Sequence, residues 1–275
     1  MQILNYHSRS AQPMQTLCFG EKEPIFFIGF ELEKNGFVNN DGDDCRHVGE
    51  EVHPTKLFWK FETDSSCGVE AVTHVLPLDG VKSEARKEVF KLINQESILI
   101  NQSPTDYRCG GHITISCNIK GYKSGINLAD AMKHNLAIIY AMFRKRLKHE
   151  YCKHNTLSLF GKSQRNSPIN VKRDCIEIRL CNAIRTTDTF KNRYDLMYKL
   201  MKYSTIERIS WKQLKDEIKP NLMKMYNRNP AKVSEILHLA DSFRKYLIVR
   251  DMDDNIKPFF SSDEVRMHFH NYQEI

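Results

Sequence analysis

The sequence predicts an α+β fold, an antiparallel or mixed sheet with helices gathered toward the C-terminus. Short runs such as IFFIGFELE, GHITISC and CIEIRLC alternate apolar and polar residues, as half-buried strands do. Other stretches repeat apolar residues at helical spacing. Strands and helices mix at first, and helices then crowd the C-terminal third.

Taken in order, residues 25–33 form the first strand. A polar loop follows, with Asn39, Asn40, Asp41 and Gly42 as its turn signal. Residues 57–63 and 69–76 are the next two strands, the latter closed by Pro77 and Gly80. Residues 84–95 form a helix capped by Ser83, with Ala85, Val89, Leu92 and Ile93 on one face. Residues 111–117 are a strand. Residues 128–148 read as one amphipathic helix carrying Leu128, Met132, Leu136, Ile139, Phe143 and Leu147. Residues 175–181 are the last strand. Helices follow at 187–203, 211–218 and 231–248, the last with Asn229 as cap and Pro230 in its first turn. The expected organisation is a main unit over 1–204 and a helical extension over 205–275. In the extension Val233, Ile236, Leu237, Ala240 and Phe243 form a packing face, and metal ligands are not expected.

The chain has 275 residues, 41% of them hydrophobic, enough to build a sizeable core. No apolar run is long enough for a membrane helix. The N-terminal MQILNYHSRS lacks the basic and apolar regions of a secretory signal. The eight cysteines form no C-x-x-C pair, so zinc-ribbon spacing is absent and reduced thiols in a cytoplasmic protein are expected. Net charge is +7, unevenly spread. Residues 21–80 hold 13 acidic and 5 basic residues, whereas residues 120–173 hold 12 basic and 2 acidic. An acidic front suits metal ions and a basic middle suits phosphates.

Residues two apart on a strand share a face. Glu31 and Glu33 therefore stand together, as do His112, Thr114 and Ser116, and Glu177 and Arg179. Glu70 adds a further carboxylate. If these strands lie in one sheet, four carboxylates, a histidine and an arginine converge on one surface. Such a density of like charge is costly without cations, and Mg²⁺ or Mn²⁺ would relieve it. Two nearby metals would then suit a phosphate-bearing substrate. Each pattern alone has a plainer reading: an exposed E-x-E face, a hydrogen-bonded structural histidine, a surface E-x-R ion pair. Their joint occurrence, in this order, favours chemistry.

The ordered segments IGFELE (28–33), DSSCGVEAVTHVLPL (64–78), GGHITIS (110–116) and CIEIRL (175–180), followed by RTTDTFKNRYDLM (185–197), resemble the amidoligase family. That family is related to glutamine synthetase and glutamate–cysteine ligase within the carboxylate–amine ligases. The resemblance spans about residues 25–203. It implies a glutamine-synthetase-like catalytic fold, with a curved, mainly antiparallel sheet and flanking helices. The implied activity is an ATP- and Mg²⁺- or Mn²⁺-dependent ligase forming an amide through an acyl phosphate. Glu31, Glu33, Glu70, His112 and Glu177 would be metal ligands. Arg179 would touch the transferred phosphate, and Arg165 and Arg173 would bind nucleotide phosphates. Asp64 matches the pattern and could instead orient its turn. One departure is Thr114, where the family usually has a second histidine, which bears on the nucleotide or substrate contact. The acid and the amine could each be an amino acid, a peptide or a macromolecule. The rival expectations are a metal-dependent nuclease and a nucleic-acid-binding protein using the basic 120–173 segment.

Overall fold

A computed structural model describes residues 1–10, 12–20, 23–39, 41–52, 55–148 and 168–247. Its centre is an eight-stranded sheet built around a long strand, β2 (Phe26–Lys34). The other members are β1 (Ile3–Leu4), β5 (Phe58–Asp64), β6 (Gly68–Thr73), β7 (Leu76–Leu78), β8 (Gly111–Cys117), β9 (Ile169–Val171) and β10 (Ile176–Ile178). Two short strands, β3 (Phe37–Val38) and β4 (Asp44–Cys45), pair separately. The order across the sheet is β1-β5-β6-β2-β8-β10-β9, with β7 also on β2. All pairings are antiparallel except β1 with β5.

The stretch 69–76 is not one strand. It breaks at His74 and Val75, and the chain resumes as β7, which includes Pro77. The length of β2 explains this. Its C-terminal half pairs with β6 and its N-terminal half with β7. Between them, the Phe30 amide donates to Thr73 Oγ1 at 2.9 Å instead of to a ladder carbonyl. Since β7 borders the sheet only through β2, a proline costs it no ladder bond on the outer side.

One face of the sheet is dry. Phe26, Ile28, Phe30 and Leu32 from β2, Ile113 and Ile115 from β8, and Ile176 and Ile178 from β10 are all buried. Each such side chain contributes on the order of 1.5–3 kcal/mol by leaving water. Helices cover this face: α1 (Glu84–Gln95), α2 (Ser97–Gln102), α3 (Gly125–Met132) and α5 (Thr187–Thr205). Phe30 meets Phe190 of α5 with ring centroids 4.3 Å apart. Tyr194 of the same helix donates to the Pro77 carbonyl at 2.6 Å, tying α5 to β7. Lys34 ends β2 on the dry side and is fully buried. Its Nζ donates to the Ile100 carbonyl at 2.8 Å, at the end of α2, and burial holds its pKa down at about 8.

The expected single helix over 128–148 is divided. After α3 comes a turn, then α4 (Leu136–Met142), then a 3₁₀ turn over Arg144–Lys148. Asn135 sits at the break and donates from Nδ2 to the Leu200 carbonyl and to Ser204 Oγ, at 3.1 and 2.6 Å. Such a side chain, bonded elsewhere, marks where a helix stops. Leu136 to Ala141 are buried without interruption, so α4 has no polar face to show a helical period.

Helix α6 (Trp211–Met225) packs on α5, and α7 (Pro230–Leu247) packs on α4. Lys232 N donates to Asn229 Oδ1 at 3.0 Å, as expected of a cap. Val233, Ile236 and Ala240 join the same apolar core as the sheet, whereas Leu237 is only partly buried. No helix among the described residues is long and apolar enough to cross a membrane.

The β9–β10 hairpin is docked on α3 through Gly125. A Cβ there would stand 2.0 Å from the Lys172 carbonyl oxygen and 2.4 Å from that of Cys175. The Gly125 amide donates to the Arg173 carbonyl at 2.9 Å.

Candidate active site

The other face of the sheet is polar, and its registers set the site. Glu31 lies opposite His112, and Glu33 opposite Glu70. Glu70 is opposite Glu62 on its other side, and Thr114 lies opposite Glu177. Glu31, Glu33, Glu70, His112 and Glu177 thus share one face, as the alternation predicts. They line a cavity of about 730 Å³ together with Arg179. Glu33, Glu62, Glu70 and Glu177 are each under a tenth exposed.

His112 stands at the centre. Its Nδ1 is 2.7 Å from Glu31 Oε2 and 3.9 Å from Glu177 Oε1, and its Nε2 is 3.1 Å from Glu33 Oε1. Burial presses its pKa down, but the charges of Glu33 and Glu31 more than offset this and raise it. The neighbouring carboxylates thus favour the protonated ring at the middle of the cluster. One donor atom each from Glu31, His112 and Glu177 lies within 4.8 Å of the others, a spacing that could hold a metal ion.

Glu177 is the most tightly held carboxylate. It accepts from Arg179 Nη1 at 2.7 Å, Lys172 Nζ at 2.8 Å and Asn170 Nδ2 at 3.0 Å. Burial alone would raise its pKa; Arg179, Lys172 and His112 overcome that and hold it at about 2. Glu70 is the opposite case. Burial first, then the charges of Glu31, Glu33, Glu62 and Asp64, push its carboxyl well above the usual range. Among the described residues it has no hydrogen-bond or ion-pair partner. A buried carboxylate surrounded by others and lacking a donor is what a divalent cation would satisfy.

The two glycines before His112 are there for space. A Cβ on Gly110 would lie 3.1 Å from both Glu33 Oε2 and Arg146 Nη2, a tight approach that these side chains would have to yield to, and its amide donates to Glu33. A Cβ on Gly111 would lie 2.6 Å from the Asn182 carbonyl oxygen and 2.8 Å from Arg193 Nη1, beneath the strand.

Asp64 lines the cavity and also organises its turn. Its Oδ1 accepts from the amides of Ser66 and Cys67 at 2.7 and 3.1 Å, which helps lower its pKa against the effect of burial. Arg173 does not reach the site. Its side chain is 92% exposed beside Asp174, and the preceding Lys172 takes the inward place. Arg165 lies outside the described residues. Thr114 is on the polar face but is not among the residues lining the cavity.

The sequence reading missed Glu62, Lys60, Asn170, Lys172 and Arg146. Glu62 was accessible from the alternation of residues 57–63, since it lies two residues from Lys60. The pair meets at 2.8 Å, and the His7 amide also donates to Glu62 at 2.9 Å. Trp59 lines the cavity because a register shift between Phe58 and Lys60 interrupts the alternation. The stacked Tyr6 and His7 rings, 3.8 Å apart, line the same end.

The cavity has an acidic floor and basic walls. Arg179 and Lys172 stand at one side, Lys60 at the other, and Arg146, which donates to the Cys109 carbonyl at 3.1 Å, above Glu33. Divalent ions on the floor with anionic oxygens between them and the walls would balance both sets of charge.

No family profile matches the chain, and no curated protein matches it in sequence, so the resemblance to the amidoligases rests on the residues themselves. Among solved structures, the chain is similar to apo GmaS without ligand, at a TM-score of 0.36 and 9% identity. The alignment covers 92% of this chain and 70% of that one.

Proposed function

We propose that this chain is an ATP- and divalent-metal-dependent ligase that joins a carboxylate to an amine. The observation that carries the reading is Glu70, a buried carboxylate with no partner among the described residues, in a cluster of glutamates that borders Arg179 and Lys172. Glu31, Glu33, Glu70, His112 and Glu177 fit Mg²⁺ or Mn²⁺, four of the five being hard oxygen donors. Bound there, the metal supplies charge neutralisation for phosphoryl oxygens.

The chain's own residues do the rest. Arg179 offers a planar fork to the phosphoryl group as it moves to the substrate carboxylate. Lys172 adds a point charge beside it in place of Arg173. Both are already fixed by Glu177, so little reorganisation is needed as charge develops. A cavity of about 730 Å³ is large enough to enclose a nucleotide's phosphates with a second substrate. Excluding water there would protect an acyl phosphate from hydrolysis.

Hydroxylamine is the direct test, because it captures acyl phosphates from many acids as hydroxamates. The protein with ATP, Mg²⁺ and a panel of amino acids and small carboxylic acids should release ADP and form a hydroxamate with at least one acid. Metal-dependent cleavage of nucleic acid with no hydroxamate from any acid would move the same site to the nuclease reading.

A further inference from the structure

A second cavity, of about 780 Å³, lies on the helical side, between α5, the end of α6 and the turn leading to α7. Its wall includes Arg193, which is only 4% exposed. The guanidinium donates to the carbonyls of Asn182 at 2.6 Å and Ala183 at 3.5 Å, and it lies 5.1 Å from the centre of the Phe143 ring. Its Nε has no acceptor among the described residues. Among the described residues it forms no ion pair. Arginine does not give up its proton, so carbonyl dipoles and a ring face leave a full charge buried without a counter-ion among the described residues.

The rest of the lining adds to that charge. Lys191, Lys224 and Arg228 are basic. The acids are Asp188 and Asp195, and Asp195 is already held by Arg86 through two bonds of 2.6 and 2.8 Å. Asn227 and Arg228 both adopt left-handed backbone conformations, with φ of 51° and 56°, so the turn on this rim is sharply defined.

We propose that this cavity binds a small polyanion whose charge is carried by phosphate or carboxylate groups, with Arg193 as the innermost anchor. The site is distinct from the carboxylate cluster and does not depend on the ligase reading. It is nonetheless close to that cluster, since Arg193 and the Asn182 carbonyl pack directly beneath Gly111, the residue before His112. An anion drawn to Arg193 would act on the strand that carries the histidine, so the site suits a regulator.

The test is thermal stability and binding of the full chain in EDTA, with pyrophosphate and citrate as separate probes. At least one should raise the melting temperature, and the better of the two identifies the preferred anionic group. The double variant K224E/R228E changes exposed side chains only, and it should weaken binding by about tenfold or more through charge reversal. Arg179→Gln, in the other cavity, should leave that binding unchanged. Absence of stabilisation by either probe would overturn the proposal. So would binding that survives K224E/R228E or is lost with Arg179→Gln.

Discussion

Replacing Glu177 by glutamine separates its structural role from its chemical one. The side chain is 3% exposed and accepts from Arg179, Lys172 and Asn170. Against the ordinary value of 4.5, its pKa in the fold is about 2. That gap corresponds to roughly 3 kcal/mol of stability at neutral pH. Lys172 is 44% exposed on its side chain, so solvent screens its share and the figure is an upper one. The sign follows from a depressed acid. The contribution is complete above pH 4.5 and is lost as pH falls through about 2. Glu177→Gln keeps the size but strands two cations. Urea unfolding in EDTA should therefore show a loss approaching 3 kcal/mol at about pH 7, with variant and wild type converging as pH drops toward 2. Turnover should fall by about 10²–10³-fold and recover in part at high Mg²⁺. Equal stabilities at neutral pH, or parallel acid limbs, would refute the assignment of Glu177 as the carboxylate that holds the cluster together.

Glu70→Gln should do the reverse in metal-free protein. The raised pKa means that ionised Glu70 costs stability as pH rises through it, so the variant should unfold at a higher temperature at neutral pH, yet lose the stabilisation that Mn²⁺ gives wild type; an unchanged Mn²⁺ response would remove Glu70 from the ligand set. Arg179→Lys keeps the charge but not the fork, and its turnover should fall by about 10²–10³-fold without rescue by Mg²⁺. A metal-bound His112 must be neutral, whereas Glu33 and Glu31 favour its protonated form, so the apparent affinity for Mn²⁺ should climb as pH rises and that proton is lost. A pH-independent affinity would show that His112 is not a ligand. Gly68 has φ of 125°, and a Cβ there would meet the Asn35 carbonyl oxygen at 2.9 Å, so Gly68→Ala should cost about 1–3 kcal/mol in a urea titration.

Much of the sheet was legible because its two faces differ so sharply. Alternation in residues 25–33, 111–117 and 175–181 separates Glu31, Glu33, His112 and Glu177 from the isoleucines and phenylalanines behind them. Where alternation is broken or too short, the reading failed. The register shift at Trp59 hides its place in the cavity, and the three-residue β9 gives no period from which Asn170 could be assigned. Lys172 and Arg173 are chemically alike, and only the docking of the hairpin on Gly125 decides which turns inward. The division of 128–148 was hidden for another reason. Its apolar residues continue through the break, and the cause is Asn135 reaching helix α5, a contact 65 residues away in sequence.

The hairpin of β9 and β10 also sets how the site opens. These two strands have three residues each, β9 is the edge of the sheet among the described residues, and Gly125 fastens the connecting turn to α3. Yet the strands carry Asn170 and Glu177, and the turn between them carries Lys172. Short edge elements belong to the part of a protein that unfolds locally, at a free energy below that of global unfolding. Amide hydrogens of 169–178 should thus exchange faster than those of β2 and β8, while the carboxylates on β2 and β6 stay in place. A ligand bridging Glu31 and Glu177 would clip this lobe shut, and slower exchange in the hairpin alone would report its arrival before any turnover is measured.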